Sequence, residues 1–479
     1  MTARSIRWAF AVLLTAVLCA CSSTPDQHEF LKQTYDRTAQ YHGPDRNPVI
    51  VIPGILGSRL VDDETGRVVW GAFTRPYANP NSPEELRLIT LPIAPESIVA
   101  PNRVRPDGVL ESLELNFAGI PIHIAAYGGI LNTLGAGGYV DESLGLDTID
   151  YGTDHFTCFQ FDYDWRQDLS FNAHRLKIFI DERRRYIQNE YDRLYGIKDA
   201  EVKFDIVGHS MGGLLTRYFL RYGGHELPED GSVPPVTWEG ANDVARAILV
   251  APPNAGSLDA FEQLIKGFSA GGPFIPTYEA AVLGTFPSVY QLMPRPRHGR
   301  IIKDNDINQP VGDLYDQTLW EKNGWGLTGR DKVTRETLEV MLPGVDDEEV
   351  RYQLARDYQG LALDRARQFH QALDQPSQRP DNLDVFLVAG DGLATAEYYS
   401  LSTETKVMTA FGEIPGDSVV SRNSALLDER VNSEWHPTLK SPIKWDGVMF
   451  LASGHRQITS NGTFEDNVLY WLLEDPRLP

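Results

Sequence analysis

A glycine-flanked serine between an apolar run and a helix-forming run constrains the fold of this chain more than any other feature. Residues 208–212 read Gly-His-Ser-Met-Gly, follow the mainly apolar run at 202–207 and precede the helix-forming residues 214–220. The glycines leave room for a sharp turn, and the following helix points its N-terminal N–H groups toward the serine. The segment predicts a nucleophile elbow with Ser210 at its apex. The alternative is a glycine-rich turn with an incidental serine, which does not account for the strand before it and the helix after it.

Predicted strands and helices alternate along the rest of the chain. Apolar runs bounded by turn residues predict buried strands at residues 48–54, 156–163, 202–207, 245–251, 384–390 and 442–452, with a hairpin at 406–412. Helices are predicted at residues 128–134, 173–195 and 463–473. This alternation indicates a mostly parallel sheet covered on both faces. Together with the elbow, it predicts the α/β-hydrolase fold.

The length of the chain predicts insertions into that fold. A typical domain has about 150 residues, and α/β hydrolases accommodate additional length over a single sheet. We expect one α/β-hydrolase domain over residues 47–479. Two cap insertions are expected in it, at about residues 60–135 and 258–382, the second being rich in helix formers and charge.

The first residues resemble a bacterial export signal. Residues 1–7 carry two arginines and no acid, and residues 8–20 are almost wholly apolar but too short for a permanent membrane span. The sequence Leu-Cys-Ala-Cys that ends at Cys21 resembles the lipobox of bacterial lipoproteins. We therefore expect residues 1–20 to be removed, Cys21 to be lipidated and residues 21–46 to form a flexible tether. An ordinary secretory signal is the alternative, and in both cases the protein is expected to be exported. If Cys21 is lipidated, the exported protein is expected to be a periplasmic or outer-membrane lipoprotein.

Composition narrows the possible partners. The chain has 66 acidic and 44 basic side chains, a net charge of −22. Such a chain is not expected to bind nucleic acid or to be attracted electrostatically to an anionic membrane. A lipid substrate stays possible, because a lipase reaches its substrate through an apolar patch. After lipidation of Cys21, Cys158 has no partner, so no disulfide framework is expected.

A serine nucleophile requires a base, an acid that orients the base, and two N–H donors for the oxyanion. In α/β hydrolases the order along the chain is serine, acid, histidine. Downstream of Ser210, His455 lies in a short loop between the last apolar run and the terminal helix, so we predict it to be the base. The alternative is an exposed loop histidine. His298, His370 and His436 are expected at the surface.

Two aspartates are candidates for the acid. Asp391 directly follows the predicted strand 384–390, where the acid of such enzymes often emerges. Asp417 lies in the sequence Gly-Asp-Ser-Val, after the predicted hairpin. Small and β-branched neighbours favour a carboxylate that turns inward toward an imidazole. The residues alone leave the two candidates nearly even.

Backbone N–H groups are the expected oxyanion donors. One is the N–H of Met211, directly after the nucleophile. The other is predicted at Ile55, in the loop Pro-Gly-Ile-Leu-Gly-Ser at residues 53–58, for which a plain strand-ending turn is the alternative. This chemistry needs no cofactor, and the carboxylates show no spacing that suggests a metal site.

These motifs together resemble the lecithin:cholesterol acyltransferase family, which includes the lysosomal phospholipase/transacylase. The matching segments are Pro48–Leu60, Gly138–Tyr139, Asp162–Arg166, Gly208–Gly213, Ala251–Ser257, Phe286–Pro294, Gly416–Val420 and Gly454–His455. The Tyr-Asp-Trp-Arg element at 163–166 and the loop at 53–58 are far more specific than the elbow. For residues 163–166 we expect packing beneath the elbow rather than an acyl pocket. The insertion at 258–382 is matched only at 286–294, and the disulfide cysteines of the animal enzymes are missing.

The resemblance implies a serine acyl-hydrolase or acyltransferase that acts on lipid esters such as phospholipids through an acyl-enzyme on Ser210. In the family the acid lies in a segment like Gly416–Val420, which favours Asp417. A lipid anchor on Cys21 would hold the protein at a membrane. Two alternatives stay open, because a fold does not fix a function. One is a non-catalytic envelope lipoprotein that uses the fold as a binding module, and the other is an esterase for soluble esters.

Overall fold

The computed structural model describes residues 27–71, 78–99, 101–117, 120–125, 127–144, 155–269, 277–432 and 435–476. The strands are β1 (Val49–Ile52), β2 (Ser58–Asp62), β3 (Val68–Trp70), β4 (Val104–Val109), β5 (Ser112–Phe117), β6 (Ile120–Ala125), β7 (Cys158–Gln160), β8 (Phe204–His209), β9 (Val244–Val250), β10 (Phe268–Ser269), β11 (Thr277–Tyr278), β12 (Arg300–Lys303), β13 (Asp306–Pro310), β14 (Asp384–Gly390), β15 (Leu393–Leu401), β16 (Met408–Gly416) and β17 (Gly447–Leu451). The α-helices are α1 (Gln27–Thr34), α2 (Asp36–Ala39), α3 (Pro83–Ile89), α4 (Gly128–Ala136), α5 (Leu169–Tyr195), α6 (Met211–Tyr222), α7 (Leu258–Lys266), α8 (Ala280–Leu283), α9 (Pro287–Tyr290), α10 (Gln317–Asn323), α11 (Lys332–Met341), α12 (Glu348–Asp374), α13 (Arg422–Leu426) and α14 (Gly462–Leu473).

Six parallel strands form the central sheet, in the order β17-β14-β9-β8-β1-β7. Every residue of β1 and β8 is buried. Strands covered on both faces read as continuous apolar runs rather than as alternating ones, which explains the sequence pattern. The predicted α/β fold with a parallel sheet is confirmed, and β8, which leads to the elbow, lies in the interior of that sheet.

Helices cover both faces of the sheet. Ile50 and Ile52 belong to an apolar cluster that includes buried residues of α5 and α6, whereas Val49 and Val51 belong to a second cluster with α4 and α14. Successive side chains of a strand point to opposite faces, so β1 contributes to both clusters. The two layers fix the central strands, and with them the segment that carries Ser210.

The two ranges predicted as caps form additional layers of structure. The first range contains the antiparallel sheet β3-β2-β4, helix α3 and the hairpin β5–β6. The second contains α7 to α12, but its strands β12 and β13 join β15 and β16 in a four-stranded sheet. This sheet continues beyond residue 382, where the insertion was predicted to end. The division into domains stays a prediction.

The amino-terminal segment differs from the predicted tether. Residues 1–20 and Cys21 lie outside the described residues, but residues 27–39 form helices α1 and α2. Leu31 and Tyr35 are buried in one apolar cluster with Ala136 of α4 and Leu469 of α14. The described part of the segment therefore packs on the domain instead of extending from it. Within the described ranges, no helix has the length and apolar character needed to cross a membrane.

Candidate active site

The predicted elbow is a sharp turn between β8 and α6. Ser210 adopts φ 53° and ψ −121°, a strained backbone conformation, and its N–H donates to the Val250 carbonyl at 2.8 Å. A Cβ at Gly212 would lie 2.5 Å from the Pro53 carbonyl oxygen, and a Cβ at Gly208 would lie 2.6 Å from Thr216 Oγ1. A side chain at either position would overlap these atoms, so glycine is required on both sides of Ser210.

The structure brings Ser210, His455 and Asp417 together. His455 Nε2 lies 2.8 Å from Ser210 Oγ, and His455 Nδ1 lies 2.7 Å from Asp417 Oδ2. An ionised carboxylate can only accept, so Nδ1 carries the proton and donates it to Asp417. The bare Nε2 then accepts a hydrogen bond from the Ser210 hydroxyl. This arrangement prepares the hydroxyl to lose its proton to the imidazole.

Asp417 is held in its ionised form by its surroundings. Its Oδ1 accepts hydrogen bonds from the N–H groups of Val419 at 3.0 Å and Val420 at 2.7 Å. Burial opposes ionisation, but the His455 imidazole and these two N–H groups outweigh it and lower the pKa of Asp417. The Asp417 carbonyl also accepts from the His455 N–H at 3.0 Å, which joins the two loops.

Asp391, the other candidate acid, is not bonded to the imidazole. Its backbone N–H donates to the Leu451 carbonyl at 3.2 Å, and its carboxylate makes no hydrogen bond within the described ranges. The close approach of Asp417 depends on the end of the same strand, because a Cβ at Gly390 would lie 2.5 Å from the Asp417 Cβ. The missing side chain lets the loop that carries Asp417 lie against β14.

The predicted oxyanion donors flank the serine. Met211 is the first residue of α6, so its N–H has no carbonyl partner in the helix. The N–H of Ile55 makes no hydrogen bond within the described part of the chain, whereas the neighbouring Gly54 N–H is occupied by Tyr127 Oη at 2.7 Å. A Cβ at Gly54 would lie 2.8 Å from Ser210 Cβ, so this loop lies directly against the serine. Both free N–H groups are therefore available beside Ser210.

A cleft of about 1210 Å³, including its open mouth, contains Ser210 and His455. An apolar cavity of about 480 Å³, again including open space at its mouth, adjoins it. The two share the wall residues Ile55, Leu56, Trp70, Gln263, Phe268 and Val289. Among the cavity walls that the cleft does not share, Trp165 and Phe286 pack edge to face with ring centroids 5.7 Å apart. An apolar group of a molecule bound at Ser210 can therefore enter this cavity and be shielded from water.

The Tyr-Asp-Trp-Arg element has a packing role and also lines this cavity. Tyr163 Oη donates to the Pro53 carbonyl at 2.8 Å, and Trp165 Nε1 donates to the Ser58 carbonyl at 3.2 Å. Arg166 is buried, pairs with Asp164 and donates to carbonyls at the end of α3. The bonds from Tyr163 and Trp165 hold the loop at residues 53–58. Trp165 and Arg166 also line the apolar cavity, which the expectation of a packing role alone did not include.

Sequence reasoning missed Asp259, and it placed His370 wrongly. Asp259 lines the cleft and accepts from Gln263 Nε2 at 2.6 Å, while burial and the nearby Glu262 raise its pKa. Nothing in the local pattern distinguishes it from other acids of a charged helix. His370, expected at the surface, is buried in α12, where its Nε2 lies 2.7 Å from the Gln291 carbonyl oxygen and its ring contacts Tyr315. Its position on the apolar face of a long helix is the signal that could have placed it inside.

In the described ranges, no group of three or more His, Cys, Asp or Glu residues is arranged to hold a metal ion.

Comparison with known proteins found similarity to a protein family and to solved structures. A family model described as lecithin:cholesterol acyltransferase matches residues 146–429, more than half of the chain. Among solved structures, a chain described under "The crystal structure of Tle4-Tli4 complex" superposes with a TM-score of 0.57 and 14% identity, over 89% of this chain and 98% of that one. At this identity the likeness concerns the fold alone. No curated protein matches this chain in sequence.

Proposed function

The chain belongs to the lecithin:cholesterol acyltransferase family, and from this premise we propose that it is a serine acyl-hydrolase or acyltransferase acting on lipid esters. The observation that carries the proposal is the hydrogen-bonded series from Ser210 through His455 to Asp417, which lies beside an apolar cavity. The series supports covalent catalysis, and the cavity supports a substrate with a long acyl chain.

The first half of the reaction forms an acyl-enzyme. Ser210 Oγ attacks the ester carbonyl carbon while its proton passes to His455 Nε2, a step supported by the 2.8 Å separation of these atoms. Asp417 fixes the imidazole tautomer and stabilises the imidazolium. The ester C–O bond then breaks, and the imidazolium gives its proton to the leaving alcohol. The acyl group stays bonded to Ser210.

Charge develops on the former carbonyl oxygen during this attack. The N–H groups of Ile55 and Met211 are the proposed donors to that oxyanion. Removal of one such donor typically costs about 3 kcal/mol of transition-state stabilisation. Because both donors belong to the backbone, substitution of their side chains should leave the donors in place.

The second half of the reaction transfers the acyl group. His455 removes a proton from water, giving hydrolysis, or from an alcohol, giving acyl transfer. Either acceptor then attacks the acyl carbonyl and releases Ser210. The balance between them depends on how well the bound acceptor excludes water from the cleft.

The apolar cavity is the proposed site of the acyl chain. Its walls include Leu60, Trp70 and Phe286, all buried. Burial of each methylene contributes about 0.8 kcal/mol, so a cavity of this kind favours long acyl chains over short ones. This observation favours lipid esters over the soluble esters of the alternative proposal.

A fluorophosphonate probe tests the catalytic part of the proposal. The wild-type protein should be labelled on Ser210 with loss of fluoride, and Ser210→Ala should not be labelled. A folded wild-type protein that resists labelling would favour the non-catalytic binding module. Incubation with defined phospholipids, with and without a sterol, followed by lipid mass spectrometry, then separates free fatty acid from acylated acceptor.

Export and anchoring are a separate proposal. The resemblance of residues 18–21 to a lipobox supports lipidation of Cys21 after removal of residues 1–20. Mass spectrometry of the mature amino terminus should detect a diacylglyceryl cysteine. An unmodified residue at that terminus would remove the anchor from the proposal without affecting the catalytic part.

A further inference from the structure

His209 lies directly before the nucleophile and contacts two separate loops. Its Nδ1 lies 2.8 Å from Tyr127 Oη, and its Nε2 lies 3.0 Å from the carbonyl oxygen of His455. Tyr127 Oη in turn accepts the Gly54 N–H at 2.7 Å. A continuous series of hydrogen bonds therefore joins Gly54, Tyr127, His209 and His455. We refer to these four residues as the loop bridge.

The chemistry of each group fixes where the protons lie. The His455 carbonyl can only accept, so His209 Nε2 carries a proton. Burial, and secondarily the nearby His455, lower the pKa of His209 to about 3, so its ring is neutral and Nδ1 is bare. Nδ1 therefore accepts the Tyr127 hydroxyl proton, and the tyrosine oxygen is left to accept from Gly54. Each of these buried polar groups has a partner, and each proton position determines the next.

The two ends of the loop bridge are the two loops that catalysis depends on. Gly54 directly precedes Ile55, whose N–H is a proposed oxyanion donor, and the bond from Gly54 to Tyr127 restrains that loop. At the other end, the bond from His209 restrains the backbone of His455. Aromatic contacts add to this restraint, since the His209 ring lies 5.5 Å from the Tyr127 ring and 5.1 Å from the His455 ring.

We propose that His209 and Tyr127 are positioning residues, which hold the oxyanion loop and the loop of the general base in a fixed relation to Ser210. The inference rests on the proposed acyl transfer and adds two residues to it. Neither residue exchanges a proton with the substrate. Their contribution is to keep the Ile55 N–H and the His455 imidazole in the geometry that the transition state requires.

Single and double variants test this role. Tyr127→Phe removes the hydroxyl at the centre of the loop bridge and keeps the ring, and His209→Phe removes both ring nitrogens. In each single variant we expect kcat for p-nitrophenyl butyrate to fall on the order of tenfold, while KM changes less than about twofold. Because one break interrupts the whole series, the double variant should lose little more than the worse single variant.

Tyr358→Phe is the matched control. It removes a buried tyrosine hydroxyl that donates to the Thr285 carbonyl at 2.9 Å, away from the cleft. We expect Tyr358→Phe to lower the melting temperature about as much as Tyr127→Phe does, with kcat unchanged. Thermal unfolding of each variant is measured with its kinetics, and Tyr127→Phe still tests the inference if His209→Phe does not fold.

The outcomes separate this inference from the proposed function. If the wild-type protein is not labelled by the fluorophosphonate, the proposed function fails. If it is labelled, and the two single variants react with probe and ester at wild-type rates, the positioning role is refuted. Losses that multiply in the double variant, or that appear only in KM, would equally overturn it.

Discussion

The apolar cavity predicts a steep dependence of activity on acyl-chain length. Each methylene moved from water into an apolar site contributes about 0.8 kcal/mol, a factor of about four in kcat/KM. Four additional methylenes, from a butyrate to an octanoate ester, should therefore raise kcat/KM about two hundredfold, provided that all of them enter the cavity. Beyond the length at which the cavity is filled, kcat/KM should level off. The assay uses p-nitrophenyl esters from acetate to palmitate, each below its micelle concentration.

Val69→Phe tests whether this cavity is the acyl site. Val69 is 3% exposed and lines the cavity but not the catalytic cleft. Both residues favour strands, so β3 should tolerate the larger side chain, which then occupies space that the end of a long acyl chain would fill. We expect kcat/KM for butyrate to change less than about twofold and the plateau to begin at a shorter chain. Esters that lose two or three methylenes of burial should lose activity on the order of tenfold or more.

A control and a clear refutation accompany this experiment. Val350→Phe adds the same ring to an exposed position on α12, where Val350 is 48% exposed, and should leave the chain-length profile unchanged. If the wild-type profile is flat from butyrate to octanoate, or if Val69→Phe leaves the plateau where it was, the acyl chain does not occupy this cavity. The proposed selection of long-chain lipid esters by this cavity would then be wrong.

Three further predictions concern the acid, the glycines and pH. Asp417→Asn should reduce kcat by about 10⁴, because the imidazole loses the partner that selects its tautomer, while Asp391→Asn should retain activity in the same ester assay. Gly212→Ala should abolish labelling by the fluorophosphonate, because the added Cβ would overlap backbone oxygens. Gly135→Ala in α4 places its Cβ where no atom lies within 4 Å, so it should raise the free energy of unfolding in urea by about 0.5–1 kcal/mol. The pKa of His209 is about 3 in the folded state and 6.5 in the unfolded state. As pH falls, the unfolded state therefore binds the proton first, and the folded state loses stability between about pH 6.5 and pH 3. Between pH 7 and pH 5 the wild-type protein should lose about 2 kcal/mol more than His209→Phe, and equal losses would contradict the assignment.

The central sheet was largely predictable, because buried parallel strands leave a strong local signal. The prediction for residues 384–390 coincides with β14, and that for 245–251 differs from β9 by one residue at each end. Helix α5 begins at Leu169, four residues before the predicted start at Ala173. Its first turn is fixed by a cap, since the Asp168 side chain accepts from the N–H groups of the second and third helical residues. Apolar spacing alone does not reveal such a cap.

Features that depend on distant pairing were not predictable. The strand expected at residues 156–163 is only Cys158–Gln160, because the residues after it leave the sheet to bond the loop at 53–58. The hairpin expected at 406–412 is present but longer: residues 408–416 form β16, which pairs in antiparallel fashion with β15 across the turn at 402–407. The shortened strand, unlike the hairpin, depends on a partner far away in sequence. Local patterns indicate that a segment is extended, but not what it pairs with.

The choice between Asp391 and Asp417 shows the same limit at the site. Both aspartates follow strands, and local sequence gives each a plausible route to the imidazole. The deciding features are the N–H groups of Val419 and Val420, which converge on Asp417, and the missing side chain at Gly390, which admits it. Neither feature can be inferred without the turn geometry. The residues alone therefore left the two candidates nearly even, and the resemblance to the family decided in favour of Asp417.

The segment Ala251–Ser257, one of those that match the family, supports the loop that presents Asp417. Ser257 Oγ donates to the Val419 carbonyl at 2.8 Å, and Asn254 Nδ2 donates to the Ala425 carbonyl at 2.6 Å. The exit of β9 is thereby tied to the loop that presents Asp417, while β9 itself pairs with the strand before Ser210. The nucleophile and the acid thus have a common support, although they are far apart in sequence. Because a displacement of about 1 Å can cost on the order of 10² in rate, residues that only hold this loop should matter to activity without touching substrate.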